Sequence, residues 1–221
     1  MSKEKRQRMV TDQLRRRDIV DARVLAAFND VPREEFVDPE QERWAYEDSP
    51  LTIGHGQTIS QPYVVAITAQ ALGLKGHENV LEIGAGSGYA AAILGKLARE
   101  VHTVERIAEL AKIAADRLAR LGYTNVHVHH GDGTLGWPEN APYEAIAVAA
   151  SAPRPPPTLL QQLTIGGRCV LPHGDAYNQR LVRITRRDER TFVEEDLGDV
   201  RFVPLVGAEG WPVSSPSKLY D

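Results

Sequence analysis

The sequence predicts an α/β fold in which a mostly parallel sheet carries helices on both faces. Short apolar segments alternate with helical segments between residues 79 and 171, and this alternation is typical of parallel sheets. The short segments are mostly apolar, as expected for strands that are covered on both faces. The length of 221 residues suits one large domain, at about 100–200 residues per domain.

The predicted strands of this region are 80–83, 101–105, 126–129, 145–149 and 168–171. Predicted helices lie among them at 89–98, 107–121 and 158–163. The pattern changes beyond Leu171, because 180–186 alternates apolar and polar residues and strand-like segments follow without helices at 192–193 and 200–203. We therefore expect the sheet to end in antiparallel strands.

The first part of the chain has a different character. Residues 1–75 are predicted to form helices and loops, and the helix at 62–72 has Pro62 at its start and Gly73 at its end, the usual asymmetry of helices. We predict that this N-terminal helical segment packs on a core formed by residues 76–221. The two parts together are expected to form one compact domain.

Composition excludes several classes of protein. The single cysteine, Cys169, cannot form an internal disulfide and lies in a predicted buried strand, where it is expected to be inert. No uncharged apolar run approaches the ~18 residues of a membrane span. The N-terminus carries charges without the apolar segment of a secretory signal. These features predict a cytoplasmic protein that does not associate with a membrane.

The first 17 residues are strongly basic, with seven Lys and Arg against two acidic residues. Such a helix could contact nucleic acid or anionic lipid. The simpler interpretation is a solvated helix face with Met9, Val10, Gln13 and Leu14 turned toward the protein, and no aromatic residue is interleaved to stack on bases. We therefore expect no nucleic-acid partner.

The strongest local signal is the segment Glu82-Ile83-Gly84-Ala85-Gly86-Ser87-Gly88, which follows a predicted strand and opens a helix. It does not fit the dinucleotide motif G-x-G-x-x-G, because Tyr89 occupies the place of the third glycine. It also lacks the lysine of a phosphate-binding P-loop. The motif therefore favours a ligand without phosphates, and the alternative is a glycine turn that binds no ligand.

Two acidic residues lie at the ends of the next two predicted strands, Glu105 as the last residue of one and Asp132 after the other. Glu105 lies about 20 residues beyond the glycines, where a carboxylate typically binds ribose hydroxyls. Asp132, in His130-Gly131-Asp132-Gly133, could accept a hydrogen bond from an adenine amino group. Each residue alone is more often a turn or cap residue than a ligand contact. At successive strand ends, together with the glycines, they indicate a nucleoside pocket without a phosphate site, which suits S-adenosylmethionine.

At this point the sequence resembles a known family. Residues 82–89 resemble the first motif of class I S-adenosylmethionine-dependent methyltransferases, and Gly56-Gln57-Thr58-Ile59-Ser60-Gln61-Pro62-Tyr63 resembles the signature of protein L-isoaspartate (D-aspartate) O-methyltransferases. Further similarity includes 13–17, Val31-Pro32-Arg33, the Gly166-Gly167 turn, 179–181 and 201–205. The resemblance implies a Rossmann-like fold with a mostly parallel seven-stranded sheet and extra N-terminal helices.

The resemblance also implies a reaction and its site. Such enzymes methylate the free α-carboxylate of L-isoaspartyl, and for some D-aspartyl, residues in damaged proteins and peptides; the ester then closes to a succinimide, and hydrolysis returns some aspartate. S-Adenosylmethionine would be the cofactor, S-adenosylhomocysteine the product, and we expect a monomer without a metal. The implied cofactor-binding residues are Thr58, Ile59, Glu82, Gly84, Gly86, Glu105, Asp132 and Gly133. The implied substrate-binding residues are Ser60, Leu205 and Val206.

The chemistry needs little beyond positioning. A carboxylate with a pKa of about 4 is ionised at pH 7 without a base, and the methyl donor is already an activated sulfonium. Ser60 is the predicted catalytic residue, because its hydroxyl could orient the acceptor; the alternative role is an N-cap ahead of Pro62. The segment 201–206 could pair with the substrate backbone in the manner of a strand. A histidine metal site at 127–130 is a weaker alternative.

Three features depart from the family pattern. Ala149 stands where the family commonly has threonine, residues 155–157 are three prolines, and the segment from Gly207 to Asp221 has no clear match. Two other functions stay open at this point. One is a methyltransferase for a small molecule or nucleic acid, and the other is a cofactor-binding module without catalysis.

Overall fold

A computed structural model describes residues 2–212 of the chain. The predicted core segment 76–221 and the unmatched segment from Gly207 onward both extend beyond this range. The strands within it are β1 (Leu51–Thr52), β2 (Thr58–Ile59), β3 (Asn79–Ile83), β4 (Glu100–Glu105), β5 (Val126–His130), β6 (Tyr143–Val148), β7 (Leu163–Gly174), β8 (Gln179–Arg186) and β9 (Phe192–Val200). The α-helices are α1 (Ser2–Arg8), α2 (Ala22–Asp30), α3 (Pro62–Leu72), α4 (Tyr89–Leu97), α5 (Ala108–Arg120) and α6 (Pro157–Gln161).

Seven strands form one mixed sheet in the order β5-β4-β3-β6-β7-β8-β9. Strands β3 to β7 are parallel, and β8 and β9 are antiparallel to their neighbours. The chain fills the sheet outward from β3 to β5 and then from β6 in the other direction, so the order reverses between β3 and β6. Open α/β sheets bind ligands at such a reversal, beyond the carboxyl ends of the strands.

Local sequence explains the helices around this reversal. Helix α3 begins with Pro62 in its first turn and ends at Gly73, which adopts the left-handed conformation at φ +60°. Helix α2 begins after Asp21, whose carboxylate accepts hydrogen bonds from the backbone N–H groups of Arg23 and Val24. Helix α5 buries Leu110, Ala111, Ala114 and Leu118, the helical spacing that covers a sheet face.

The N-terminal residues pack against the same apolar core as the sheet. Helix α1 has no buried residue, and the chain continues through a π-helical segment at Met9–Leu14 and a 3-10 turn at Arg15–Arg17. Met9, Val10 and Leu14 are buried in one cluster with residues of α2, α3 and α4. Lys3, Lys5 and Arg8 of α1 are exposed, whereas Arg6 is partly buried and its Nε is shielded from solvent. Short 3-10 helices complete the described chain at Arg33–Phe36, Pro39–Trp44, Gly133–Leu135 and Pro138–Asn140.

Some predicted boundaries are wrong. The strand expected at 168–171 runs from Leu163 to Gly174 and passes through the predicted Gly166-Gly167 turn, because Leu163 already pairs with Tyr143 before a register shift. The helix expected at 158–163 consequently ends at Gln161. Only the first residue of the strand expected at 200–203 lies in the sheet. Val200 ends β9, which begins at Phe192, and the chain leaves the sheet after it.

Candidate active site

The glycine loop, residues 84–88, leads from the end of β3 into α4. Gly84, Gly86 and Gly88 have φ values of +93°, +51° and +88°, a conformation that side chains rarely adopt. Space is also limited at Gly86, where a Cβ would lie 3.2 Å from the Cδ1 of Ile53. The glycines therefore permit a tight turn that leaves its backbone open to a ligand.

Glu105 closes the side of this loop. It ends β4 and is buried, with 7% of its surface exposed. One carboxylate oxygen accepts the N–H of Gly86 at 2.9 Å, and the other accepts the N–H of Ile107 at 2.9 Å. Each oxygen has a further lone pair for a hydroxyl donor. The predicted contact with ribose stays a prediction, and the carboxylate lies beside the glycine loop as that role requires.

Ser60 follows a small hairpin that packs beside the glycine loop. Strands β1 and β2 pair through Leu51 with Ile59 and Thr52 with Thr58. The segment that resembles the family signature therefore forms the second strand of this hairpin and the first turn of α3. Ser60 does not cap that helix, since Gln61 occupies the N-cap position and no side chain caps it. The proposed capping role is wrong, and the hydroxyl is not used in that way.

Two cavities meet at Ser60. The first, the glycine-loop cleft, encloses about 790 Å³ including its opening to solvent. It is lined by the glycine loop and the ends of β2 and β4, with Thr58, Ile59, Ser60, Glu105, Gly133, Ala149, Leu205 and Val206 among its residues. The second, the outer groove, lies between α3, the end of β9 and the following segment, with Arg17, Thr58, Ser60, Tyr63, Ala149, Asp199 and Phe202 among its residues. Four residues line both cavities, namely Thr58, Ser60, Ala149 and Val203.

Glu82 lies behind the glycine loop rather than along the cleft. It is fully buried, accepts a hydrogen bond from the Thr103 hydroxyl at 2.6 Å, and lines a third, small apolar cavity. Its other oxygen has no hydrogen-bond partner. Burial raises the pKa of Glu82 to about 8, so the carboxyl is largely protonated at pH 7. Its predicted contact with the cofactor stays a prediction.

Asp132 anchors a segment that we call the strap, residues 203–211. One of its oxygens accepts from the backbone N–H and the hydroxyl of Thr134, at 2.9 and 2.7 Å. The other accepts the N–H of Ala208 at 2.8 Å. A Cβ on Gly207 would collide with this carboxylate, so glycine is required where the strap crosses it. Asp132 is not among the residues that line the glycine-loop cleft, and its adenine contact stays a prediction.

The strap places Leu205 and Val206 in the cleft wall. The backbone of Leu205 is already used, because its N–H donates to Ser151 and its carbonyl accepts from Trp211. Val206 and Trp211 form a parallel β-bridge. Its two hydrogen bonds join Trp211 to the neighbours of Val206, because the Trp211 N–H donates to Leu205 and the Trp211 carbonyl accepts from Gly207. Backbone groups of successive extended residues point to opposite sides, so those of Val206 point away from Trp211. Strand-like pairing with a substrate is therefore available at Val206 and not at Leu205.

Three histidines stack on one face at the edge of the sheet. His102 lies 3.1 Å from His129 between ring nitrogens, and His127 pairs with Glu100 at 2.7 Å. The His129 ring stacks on Trp137 with centroids 4.1 Å apart. Desolvation, together with the neighbouring histidines, lowers the pKa of His102 to about 4. Within residues 2–212, no three histidine, cysteine or acidic side chains are arranged to hold a metal ion.

Two further predictions concern the protein outside this site. Burial raises the pKa of the Cys169 thiol to about 12, so the thiol stays protonated in the core. Among the residues that the structure describes, no helix combines the length and the apolar character needed to cross a membrane.

Comparison with known proteins decides the family. The family profile described as protein-L-isoaspartate(D-aspartate) O-methyltransferase (PCMT) matches residues 4–210. The chain belongs to this family. Membership confirms the resemblance read from the glycine motif and the 56–63 segment. It also confirms the predicted enzyme class, an S-adenosylmethionine-dependent methyltransferase that acts on isoaspartyl residues.

Individual relatives agree with the family match. The chain is 57% identical over 210 residues to the protein-L-isoaspartate O-methyltransferase of Rhodopseudomonas palustris, covering 95% of this chain and 96% of the relative. It is 55% identical over 208 residues to protein-L-isoaspartate O-methyltransferase 2 of Pelobacter propionicus, covering 94% and 92%.

Solved structures confirm the fold class. A protein-L-isoaspartate O-methyltransferase superposes with a TM-score of 0.82 at 30% identity over 94% of this chain and 67% of that chain. A putative family member from Plasmodium falciparum, in complex with S-adenosyl-L-homocysteine, superposes with a TM-score of 0.79 at 25% identity, covering 91% and 98%.

Sequence reasoning gave no role to two arginines that the structure brings to the site. Arg117 of α5 donates from Nη1 to the carbonyl of Ser87 at 2.7 Å and so holds the glycine loop. Arg33 donates from Nη2 to the carbonyl of Ser60 at 2.8 Å. Arg33 belongs to the matched Val31-Pro32-Arg33 segment, but nothing in its spacing indicates a partner 27 residues away.

Proposed function

We propose that the glycine-loop cleft binds S-adenosylmethionine and that the outer groove holds the damaged peptide. The single observation that supports this arrangement is that the two cavities share a wall formed by Ser60 with Thr58, Ala149 and Val203. A methyl group presented from the cleft would meet an acceptor in the groove at this junction. The acceptor we propose is the free α-carboxylate of an L-isoaspartyl residue, in proteins as well as peptides.

The residues of the cleft fit the chemistry of this cofactor. Glu105 offers carboxylate oxygens to two ribose hydroxyls, and the glycine loop lets the nucleoside lie against the backbone. The loop has neither the third glycine of the dinucleotide motif nor the lysine of a P-loop. Thr58, Ile59 and Gly133 line the same cleft, and we assign them to cofactor binding together with Gly84 and Gly86. When bound, the cofactor supplies an activated methyl group.

Ser60 would orient the acceptor rather than activate it. The α-carboxylate is ionised at neutral pH, so no base is required, and the Ser60 hydroxyl can donate one hydrogen bond to it. Positive sulfonium and negative carboxylate neutralise each other as the methyl moves, so a pocket that excludes water favours the transition state over separated ions. Most of the rate would therefore come from positioning, which can contribute up to roughly 7–11 kcal/mol.

Val206 would hold the peptide backbone. Its N–H and carbonyl point away from Trp211, and its side chain lines the cleft beside the groove. Contacts of this kind ignore the identity of side chains, which suits an enzyme that repairs damage in many sequences. We further propose that the protein acts as a cytoplasmic monomer without a resident metal or a nucleic-acid partner. The labelled-methyl assay described next also tests whether D-aspartyl residues are methylated.

Transfer of a labelled methyl group tests this function. The protein is incubated with tritiated S-adenosylmethionine and either an isoaspartyl peptide, its D-aspartyl form or its normal aspartyl twin. Base-labile label on the isoaspartyl peptide and none on the aspartyl twin is the expected result. Equal labelling of both twins, or label that resists base as N-methyl groups do, would overturn the proposal.

A further inference from the structure

Arg33 is a cation buried completely beneath the proposed methyl-transfer junction. It opens the 3-10 helix Arg33–Phe36, and none of its surface is exposed. Its Nη2 donates to the carbonyl of Ser60 at 2.8 Å. Because Ser60 separates a strand from a helix and has no capping bond of its own, this hydrogen bond fixes the backbone from which the Ser60 hydroxyl projects.

The same guanidinium also contacts the cofactor side of the site. Its central carbon lies 4.7 Å from the centroid of the Tyr89 ring. Tyr89 is the first residue of α4, directly after the glycine loop, and it lines the glycine-loop cleft. Phe28 and Phe36 pack edge-on against the other sides of this ring, at 6.1 and 5.5 Å between centroids. Arg33 therefore touches both the acceptor side and the cofactor side.

Packing alone does not account for a charge at this place. Nε and Nη1 of Arg33 have no hydrogen-bond partner, and within residues 2–212 its guanidinium forms no ion pair. Burial lowers the pKa of Arg33, with the Tyr89 interaction opposing that shift. Burying an incompletely paired ion costs free energy that an apolar side chain would not. Within residues 2–212, the contacts that offset this cost are its hydrogen bond to the Ser60 carbonyl and its interaction with the Tyr89 side chain.

We propose that Arg33 is a positioning residue for methyl transfer, an inference that rests on the proposed role of Ser60. It holds the Ser60 backbone at a fixed place relative to the first turn of α4, so the acceptor and the methyl donor meet in line. A planar guanidinium can stack on Tyr89 and donate to a carbonyl in the same pose. A lysine ammonium keeps the charge but cannot keep both contacts in that geometry.

Arg33→Lys tests this role in the full-length enzyme. Because small misplacement of reacting groups can cost up to about a hundredfold in rate, we expect kcat to fall between about tenfold and a hundredfold. The dissociation constant of S-adenosylhomocysteine and the KM of the isoaspartyl peptide should stay within about threefold. In a Ser60→Ala background the same substitution should have almost no further effect on kcat, because the group being positioned is gone.

Arg186→Lys is the matched control. Arg186 also donates to backbone carbonyls, those of Gln161 and Leu163 at 3.0 and 2.6 Å, and lies 5.9 Å from the Phe192 ring. It belongs to β8, away from both cavities, so its replacement should lower the melting temperature without changing kcat. Three results would overturn the role of Arg33: an unchanged kcat in a folded Arg33→Lys protein, a loss confined to binding, or an equal loss with and without the Ser60 hydroxyl.

A measurement on the unmutated enzyme covers the case in which Arg33→Lys does not fold. In protein labelled with 15N-arginine, the guanidinium signals of Arg33 are identified by their proximity to the Tyr89 ring protons. They should exchange slowly and shift when S-adenosylhomocysteine and an isoaspartyl peptide bind together. Signals that do not shift would contradict the proposal. If the unmutated enzyme transfers no methyl group to the isoaspartyl peptide, that result would instead contradict the proposed function itself.

Discussion

Asp132→Asn separates two roles for the acid that follows β5. In the structure its second oxygen accepts the N–H of Ala208 at 2.8 Å and so ties down the strap. Asparagine keeps one oxygen, which can still accept from Thr134, but places an NH₂ group where Ala208 needs an acceptor. The substitution therefore removes one charge-assisted hydrogen bond with little change in shape.

The expected magnitude follows from that one bond. A hydrogen bond to a charged group contributes about 1.5–3 kcal/mol, and Ala208 is exposed, so water can replace the lost partner in part. We expect the free energy of unfolding to fall by about 1–3 kcal/mol. At about 2–4 °C per kcal/mol for a chain of this size, the melting temperature should drop by about 2–12 °C. The peptide KM should rise several-fold, because the strap carries Val206.

Calorimetry distinguishes the two roles. The melting temperature is measured by scanning calorimetry and the affinity for S-adenosylhomocysteine by titration, with Asp175→Asn as the control. Asp175 accepts hydrogen bonds from the backbone of Tyr177 and Asn178 in an exposed turn, so its variant should leave the peptide KM unchanged. An affinity loss of tenfold or more with an unchanged melting temperature would refute the strap role and support a contact with adenine.

Three further outcomes are expected. Ser60→Ala should lower kcat by about tenfold or more while S-adenosylhomocysteine affinity changes less than about threefold; equal losses in both would contradict its role in orienting the acceptor. Glu105→Gln should weaken S-adenosylhomocysteine by about tenfold or more in titration calorimetry, because the charge-assisted bonds to ribose are lost; an unchanged affinity would remove Glu105 from the cofactor site. For His102, the folded pKa of about 4 lies below the ordinary value of 6.5, so the unfolded state binds more protons between these values. The contribution of neutral His102 to the free energy of unfolding is therefore complete above about pH 6.5 and is lost as the pH falls toward 4. His102→Gln should therefore flatten the dependence of urea stability on pH across that window, and an unchanged slope would refute this cause.

The sequence predicted the part of the fold that depends on local pattern. Apolar strands alternating with helices indicated the parallel strands correctly, because burial on both faces leaves that pattern in the chain. The extension of β7 back to Leu163 was missed, since it depends on pairing with Tyr143 rather than on the residues of β7 themselves. Gly166 and Gly167 look like a turn and yet lie within the strand.

In the candidate site, too, some features can be predicted from the sequence and others cannot. Glycines with positive φ, an acid at the end of β4 and the matched hairpin segment leave signals that a sequence shows. The strap attachment of Asp132 and the bond from Arg33 to Ser60 join residues 76 and 27 positions apart. Such contacts depend on how separate elements pack, so the spacing of residues along the chain does not indicate them.

A crystal structure with S-adenosylhomocysteine and an isoaspartyl peptide tests the account most directly. It should show the thioether sulfur in the glycine-loop cleft, directed toward the junction, and the free α-carboxylate within hydrogen-bond distance of the Ser60 hydroxyl. A carboxylate bound elsewhere, or a sulfur that faces away from Ser60, would contradict the central claim that donor and acceptor meet at this residue.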